Sequence, residues 1–432
     1  MPPESTDNQG LKNPFIKLVD RLPILSPLLK RDFRLLWFGE GISLLGSQFH
    51  FIALSWLTLQ ITGSGLALGT VLMVGTIPRA ILMLFGGALS DSYSPRRIMI
   101  VSNLSRAVVV GVIALIVFFD VVELWHLYLL SILFGIVDSF FHPAFNAIIP
   151  RIVDKDKLEA GNAILRGTHE LTFLIGSAPA GLLISAVGMD LAFGIDSVSF
   201  ILAAVCLKMM TGFRGKAPLS ADEFHLSKRP VKLANILSDV KEGVRYALGR
   251  PALRALVLAI AVIDFSFSGP LDVGLAWLSE HRFVGGATAF GTILSSFGGG
   301  ALLGTIIAGV CKFKRRGLWL ATLGVILGTG LGLYGVVPNV AGAAILSVFM
   351  GIGVGIFNIM LISWFQKEAP PRMLGRIMSL VTFASVGLMP VSFAISGMLV
   401  DVHAPLLFAV AGGITLAACI YLFSVRAVRA ID

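Results

Sequence analysis

The sequence predicts an all-α polytopic membrane protein, twelve transmembrane helices arranged as two six-helix halves. Three observations carry that prediction. Apolar runs of helix length repeat along nearly the whole chain, Lys and Arg crowd into every second gap between them, and the two sets of six runs share polar punctuation. A crossing takes roughly 20 mainly apolar residues, so twelve of them with short connections consume most of a 432-residue chain. At 56% hydrophobic and 14% charged residues, the chain is too apolar for a soluble domain of this length.

The first run follows Lys30, Arg31 and Arg34, and the spans read as 34–60, 66–90, 97–119, 124–148, 160–187 and 191–210. After a polar interval come 254–279, 287–311, 317–337, 341–366, 375–400 and 405–427. Cations fill the gaps at Arg96 and Arg97, at Arg151, Lys155 and Lys157, from Arg214 to Arg250, from Lys312 to Arg316, and at Lys367 and Arg372. The alternate gaps, at Ser64, Asp120 with Glu123, Asp190, Glu280, Asn339 and Asp401, hold at most Arg282. Positively charged loops stay cytoplasmic. Both termini are therefore expected inside the plasma (inner) membrane of the cell.

The expected units are a cytoplasmic N-terminal segment 1–33, a six-helix half 34–210, a linker 211–253, a second half 254–427 and a cytoplasmic tail 428–432. Within the linker, Leu233, Ile236, Leu237, Val240, Val244 and Leu248 keep helical spacing opposite Asp239, Lys241, Glu242 and Arg245. That pattern suits a helix lying along the membrane interface and equally a solvated linker helix. The net charge of +9 is explained by the alternate loops facing anionic lipid headgroups, not by nucleic acid. Cys206, Cys311 and Cys419 have neither metal-site spacing nor a disulfide's location. The polar first thirty residues show no cleaved signal peptide.

An internal repeat supports six plus six. Asn146 closes span four and Gly176-Ser-Ala-Pro179 follows in span five; Asn358 lies in span ten and Gly387-Leu-Met-Pro390 follows in span eleven. Each pair is separated by a Pro-bearing basic loop and an early Arg, Arg166 or Arg376. Such copies imply halves related by an axis along the membrane normal. Pro179 and Pro390 each remove a backbone donor, and a kink is expected at both.

Ionisable groups within spans are informative because each costs about 2.5–3.5 kcal/mol or more if it faces lipid at mid-bilayer. Span four carries Ser131, Asp138, His142 and Asn146 on one stripe, and span one carries Glu40, Ser43, Ser47 and His50 on another. Span five adds Arg166, His169 and Glu170, and span seven adds Asp264, Ser268 and Asp272. These stripes must face the bundle interior or water. Asp138 and Glu170 are the candidates for proton coupling, weighed evenly against structural ion pairs. Arg79, at mid-depth in span two, is the obvious partner for Asp138. Arg106 is assigned to gating or packing and Asp196 to structure. Glu40, Ser47, His50, Arg79, His142, Asn146, Asp264, Asp272 and Asn358 are candidates to line the substrate path. The two carboxylates of span seven suit a cationic or polar substrate and equally a partner within the bundle.

Spans two and three are joined by Gly86-Gly87-Ala-Leu-Ser-Asp91-Ser-Tyr-Ser-Pro-Arg96-Arg97. This resembles motif A of the major facilitator superfamily, matching at Gly87, Asp91 and Arg96 and departing at Ser92, Ser94 and Pro95. Phe33-Arg34-Leu35-Leu36-Trp37, Leu59-Gln60-Ile-Thr62-Gly63-Ser64, Glu242-Gly243-Val-Arg245-Tyr246 and Gly375-Arg376-Ile-Met-Ser379 resemble the branch of enterobactin exporters and macrolide-efflux proteins. The likeness covers almost the whole membrane region. It implies a major facilitator fold with spans one, four, seven and ten around a central cavity. It also implies a cytoplasmic gate at Gly87, Asp91, Arg96, Arg97 and Arg376, in which Asp91 holds the start of span eleven. Gly176-Ser177-Ala-Pro179-Ala-Gly181 resembles the antiporter signature of span five with its proline displaced.

The expected protein is not an enzyme. It is a secondary transporter that exports a small amphipathic molecule, drug or siderophore-like, by proton-coupled alternating access. Its partners are that substrate, protons and membrane lipids, and a monomer suffices. A proton-coupled importer, a lipid flippase and a non-transporting membrane scaffold remain open on the same fold. No phosphate-binding loop, metal-spaced cluster or nucleophile–base pair stands out, so no cofactor is expected.

The orientation is directly testable. In a background lacking Cys206, Cys311 and Cys419, single cysteines at Ser64 and Asn339 should label with an impermeant thiol reagent in intact cells. One at Ser227 should label only after lysis. The reverse pattern would invert the topology.

Overall fold

The computed structural model describes residues 23–211, 245–311, 313–368, 370, 374–429 and 431. A 3-10 segment, Pro23–Leu29, leads into α1, Arg31–Thr62. There follow α2 Gly65–Ser92, α3 Pro95–Phe118, α4 Leu124–Ile152, α5 Leu158–Ala186 and α6 Met189–Met209. The second half begins with α7, Pro251–His281, and continues through α8 Gly286–Val310, α9 Arg316–Tyr334, α10 Val340–Glu368, α11 Leu374–Val386 and α12 Met389–Ser424. In hydrocarbon every backbone polar group must be satisfied within the segment, and apolar helices do this without partners. Most of the expected interfacial helix lies outside the described residues; from Arg245 to Leu248 the chain is helical.

Among the described residues, ten helical stretches are long and apolar enough to cross a membrane. The difference from twelve has two causes. First, α5 carries Arg166, His169 and Glu170, which dilute its apolar character. Second, only Gly387 and Leu388 separate α11 from α12, so Leu380–Ser424 counts as a single apolar stretch of 45 residues. At 1.5 Å per residue it would be roughly 68 Å long, more than twice a hydrocarbon core of about 30 Å. The chain breaks within it, at His403 (φ −164°, ψ 97°), just before Pro405. Residues 389–402, the first arm of α12, complete the span begun by α11, and the second arm, 404–424, is the twelfth span. Twelve crossings result.

Two further breaks refine the expected elements. Span eleven is interrupted, not kinked: α11 ends at Val386, and Pro390 sits in the first turn of α12, where its missing N–H costs nothing. Pro179 does lie inside a continuous helix, on the exposed side of α5. Span seven holds a π-helical turn at Pro270–Gly274. Pro270 has no N–H to donate, and the ladder re-forms one residue longer. Such turns gather at functional sites.

Within the first half, α1 packs on α5 and α6, α2 on α4, and α3 on α4 and α6; in the second, α8 packs on α10, α9 on α10 and α12, and α7 on α12. The halves meet along two seams, α5 against α8 and α2 against the first arm of α12. Both seams are built from small residues. A Cβ at Gly291 would collide with the Ser177 carbonyl, and one at Gly69 with the Phe393 carbonyl. Ser295 adds a hydrogen bond, its hydroxyl accepting the Ala178 N–H at 2.8 Å. Small residues let helix backbones approach closely where no hydrophobic drive favours association in lipid.

The seams share one end. Their contacts run from Ser64, Gly65 and Asp401 to Gly69 and Phe393, and from Ser185 and Thr288 down to Phe173 and Gly298. All lie in the part of the bundle nearer Ser64 than Arg96. Towards the Arg96 end, Arg166, His169 and Asn162 of α5 are exposed instead of packed. The halves are closed at the Ser64 end and parted towards the Arg96 end.

This seam yields a prediction. Overfilling a packed position costs about 1–3 kcal/mol. Gly291→Leu should therefore loosen the closed end, and a cysteine at Ser295, protected in the parent, should label at least about fivefold faster with a small thiol reagent. An unchanged labelling rate would show that the seam tolerates the bulk.

Candidate functional site

The polar residues of the first half converge on one carboxylate. Asp138 of α4 accepts a hydrogen bond from Arg106 Nη1 of α3 at 3.1 Å, and its other oxygen lies 3.3 Å from Arg79 Nε of α2. Three helices are thereby tied through two oxygens. Arg106 also donates through Nη2 to Asn103 Oδ1 at 2.7 Å, and its guanidinium lies 4.0 Å over the Phe141 ring and 4.6 Å over Phe200. Stacking on two aromatic faces compensates a desolvated cation on the sides that carboxylates do not reach.

The cluster has a dry side and a wet side. The Arg106 and Asp138 side chains are 6% and 8% exposed, whereas that of Arg79 is 43% exposed. Arg79 also pairs with His142, Nη2 to Nε2 at 3.0 Å. Arg79 and His142 therefore form the water-facing edge of a charge network whose core is Asp138 with Arg106. Glu40 of α1 is within electrostatic reach of both Arg106 and Asp138.

One helical layer away lies a second buried group. His50 of α1 stacks on Phe134 at 5.0 Å and meets Phe193 edge-on at 5.5 Å. Its Nδ1 sits 3.5 Å from Oδ2 of Asp196 on α6, and neither atom has a hydrogen-bond partner. Asp196 is fully buried, its other oxygen 3.3 Å from the Ser199 hydroxyl. Gly46 makes room for it: a Cβ there would come within 2.6 Å of Asp196 Oδ1. His50 is thus less satisfied than a typical core histidine, and Asp196 faces the bundle interior.

The remaining candidates are dispersed. Glu170 pairs with Arg166 one turn earlier on α5, Oε1 to Nε at 3.5 Å. Asp264 of α7 is bonded by Ser385 of α11. Asp272 lies in the π-helical turn. Ser47 and Asn358 are half-buried, and Asn146 is exposed near the Arg96 end of α4. Gly87 and Asp91 occupy the last turns of α2, and Arg376 the first turn of α11. Arg96 donates to the last carbonyls of α6, Nε to Leu207 O at 2.7 Å and Nη2 to Lys208 O at 2.5 Å. It caps a helix of its own half, favourably aligned with the negative end of the α6 dipole. Arg97 is exposed.

Arg106, read from sequence as a gating or packing charge, is a counter-ion of Asp138 alongside Arg79. The available signal was Asn103 three residues before it, which places two polar groups on one face of a mid-membrane helix.

Nearly all of the first half and most of the second match one family model, that of the Major Facilitator Superfamily, over residues 36–392. The chain belongs to that superfamily. Among curated proteins it is similar to macrolide efflux protein A of Streptococcus pyogenes, 24% identical over 376 residues covering 86% of this chain and 90% of that one. It is also similar to the multidrug efflux pump Tap of Mycolicibacterium fortuitum, 24% identical over 391 residues, covering 87% and 89%. The fold matches that of a bacterial homologue of the iron transporter ferroportin in an inward-facing state, with TM-score 0.69 at 16% identity over 91% of this chain and 98% of that one. Superfamily membership makes this a multi-pass transporter of the cell membrane and not an enzyme.

Within this superfamily fold, the Asp138 cluster should behave as an energetic unit. Removing one partner of a buried ion pair typically costs about 3–5 kcal/mol, because a buried charge is left uncompensated. Arg106→Leu should lower the thermal unfolding midpoint in detergent markedly, and Asp138→Leu in the same chain should restore part of the loss. Additive losses would show that the two groups are independent.

Proposed function

We propose that the protein is a proton-driven exporter of small amphipathic molecules, working by alternating access between its two halves. Similarity along most of the chain to macrolide and multidrug efflux pumps supports export. The observation that carries the coupling step is the half-wet ion-pair cluster of Arg79, Asp138 and Arg106 at mid-depth. In this reading the Arg96 end faces the cytoplasm, the Ser64 end faces outside, and the structure is the inward-open member of the cycle.

The coupling follows from charge neutralisation. Protonating Asp138 removes the anion that holds Arg79 and Arg106 together, leaving two cations facing one another across α2 and α3. The helices then relax towards other acceptors, and the proton's free energy becomes conformational free energy. Arg79 and His142 supply the route by which water reaches Asp138. Glu170, paired with Arg166 on the exposed side of α5, is the second candidate. Asp264 and Asp272 present carboxylates to the substrate from the other half, which suits a basic or polar group on the molecule carried.

The test uses a drug-sensitive host expressing the protein. Accumulation of a radiolabelled macrolide should fall several-fold, and a protonophore should abolish the effect. In proteoliposomes, Asp138→Asn should still bind the macrolide but lose its response to an imposed pH gradient. Normal pH-driven transport in both Asp138→Asn and Glu170→Gln would remove these residues from the mechanism. An imposed gradient that drives uptake into cells would reverse the direction assigned here.

A further inference from the structure

One contact between the halves places a carboxylate from one half at the start of a helix in the other. Asp401, in the last turn of the first arm of α12, accepts the Gly65 N–H through Oδ1 at 2.6 Å. Its Oδ2 accepts the Leu66 N–H at 2.9 Å and the Ser64 hydroxyl at 2.8 Å. Ser64 in turn accepts the Ala67 N–H through its own hydroxyl at 3.3 Å.

The first turn of any α-helix leaves N–H groups without intrahelical partners. At α2, Ser64 takes one and Asp401, from the opposite half, takes two. The local backbone is arranged for this. Gly63, in the left-handed conformation (φ 61°, ψ 10°), ends α1 and turns the chain so that α2 starts beside Asp401. On the other side the helix break at His403 follows two residues after Asp401. The carboxylate thus sits where its span ends and the N-terminus of α2 begins, and anions at helix N-termini are stabilised by the dipole.

We infer that Asp401 is a gating residue, the latch that holds the Ser64 end closed, and that it must release Gly65, Leu66 and Ser64 each time the halves part at that end. The seams of small residues beneath it supply contact in the closed state but no charge-assisted bond. Asp401 adds charge-assisted bonds to the neutral ones that Ser295 makes with Ala178 and Thr288 with Ser185. Asp91 lies in the last turn of α2, at the opposite end of that helix.

This inference rests on the alternating-access reading, and its test needs no substrate, so the two fail separately. In full-length protein lacking its native cysteines, spin labels at Asp120 and Asn339 report separation at the Ser64 end. Labels at Lys155 and Lys314 report the other end. In nanodiscs at low ionic strength, Asp401→Ala should raise the ratio of Ser64-end-open to Ser64-end-closed molecules about fivefold, with the Lys155–Lys314 distance shortening in step. Ser64→Ala, which removes one of the three bonds, should shift the ratio in the same direction by less. Added salt should erode the parent's bias towards closure and leave Asp401→Ala unmoved. Unchanged distance distributions in folded Asp401→Ala would overturn the assignment, as would a larger effect from Ser64→Ala. If Asp401→Ala does not fold, the Ser64→Ala shift and its salt dependence still decide.

Discussion

An ionised side chain at mid-membrane must find its compensation within the protein, and this chain meets that constraint by tying three helices to a single carboxylate. Asp138 lies between Arg106 and Arg79, and Arg106 is enclosed by Phe141 and Phe200. The geometry of α2, α3 and α4 in the first half follows from that knot. It also fixes where a change of charge has mechanical consequence, because removing the central anion leaves two like charges about one position. A salt bridge of this kind is not chiefly a source of stability. It makes one arrangement of three helices depend on one negative charge.

The second half is built differently. Between Pro251 and Ser424 the Lys and Arg residues are Arg254, Arg282, Lys312, Lys314, Arg315, Arg316, Lys367, Arg372 and Arg376, all at or beyond helix ends. Its mid-membrane ionisable groups are carboxylates: Asp264, bonded by Ser385, and Asp272 in a π-helical turn. A half with internal counter-ions can respond to protonation by rearranging itself. One with acids alone is better suited to meeting a positive or hydrogen-bond-donating group from outside. The pseudo-symmetry of the fold therefore does not extend to its electrostatics, and a division of labour between proton and substrate is consistent with that difference.

Much of this was legible in the sequence because the bilayer writes its constraints in composition. Span number and approximate limits follow from apolar run length, and the pairing of Arg79 with Asp138 follows from two charges at similar depth. What escaped is what depends on rotation and local backbone. Arg106 was read as a gating or packing charge, and its contact with Asp138 escaped, because depth along a span says nothing of which neighbour a side chain meets. The π-helical turn at Pro270 and the restart of span eleven at Met389 are backbone accommodations to proline, and the same residue type is carried within the continuous helix α5. Arg96 matched a motif residue by spacing, yet its donors go to α6 carbonyls inside its own half, which leaves any bond across the halves to its neighbours in the motif.

Asp401 shows why loops that bind across halves are the hardest elements to read. From sequence it marks only an anionic gap between spans, indistinguishable from Asp120 or Asp190. Its role depends on the start of α2 being brought alongside by the close glycine seam at Gly65, Gly69 and Gly397. That seam and the latch reinforce one another: without close approach the carboxylate would not reach two amides of another half, and without the carboxylate the seam would hold by packing alone. Packing in lipid is shallow, since the alternative partners are equally apolar lipid tails. A few charge-assisted bonds at the water interface therefore bear disproportionately on which end of the transporter is closed. They are also bonds that water can replace, so closure at the Ser64 end is held firmly enough to persist and weakly enough to be undone.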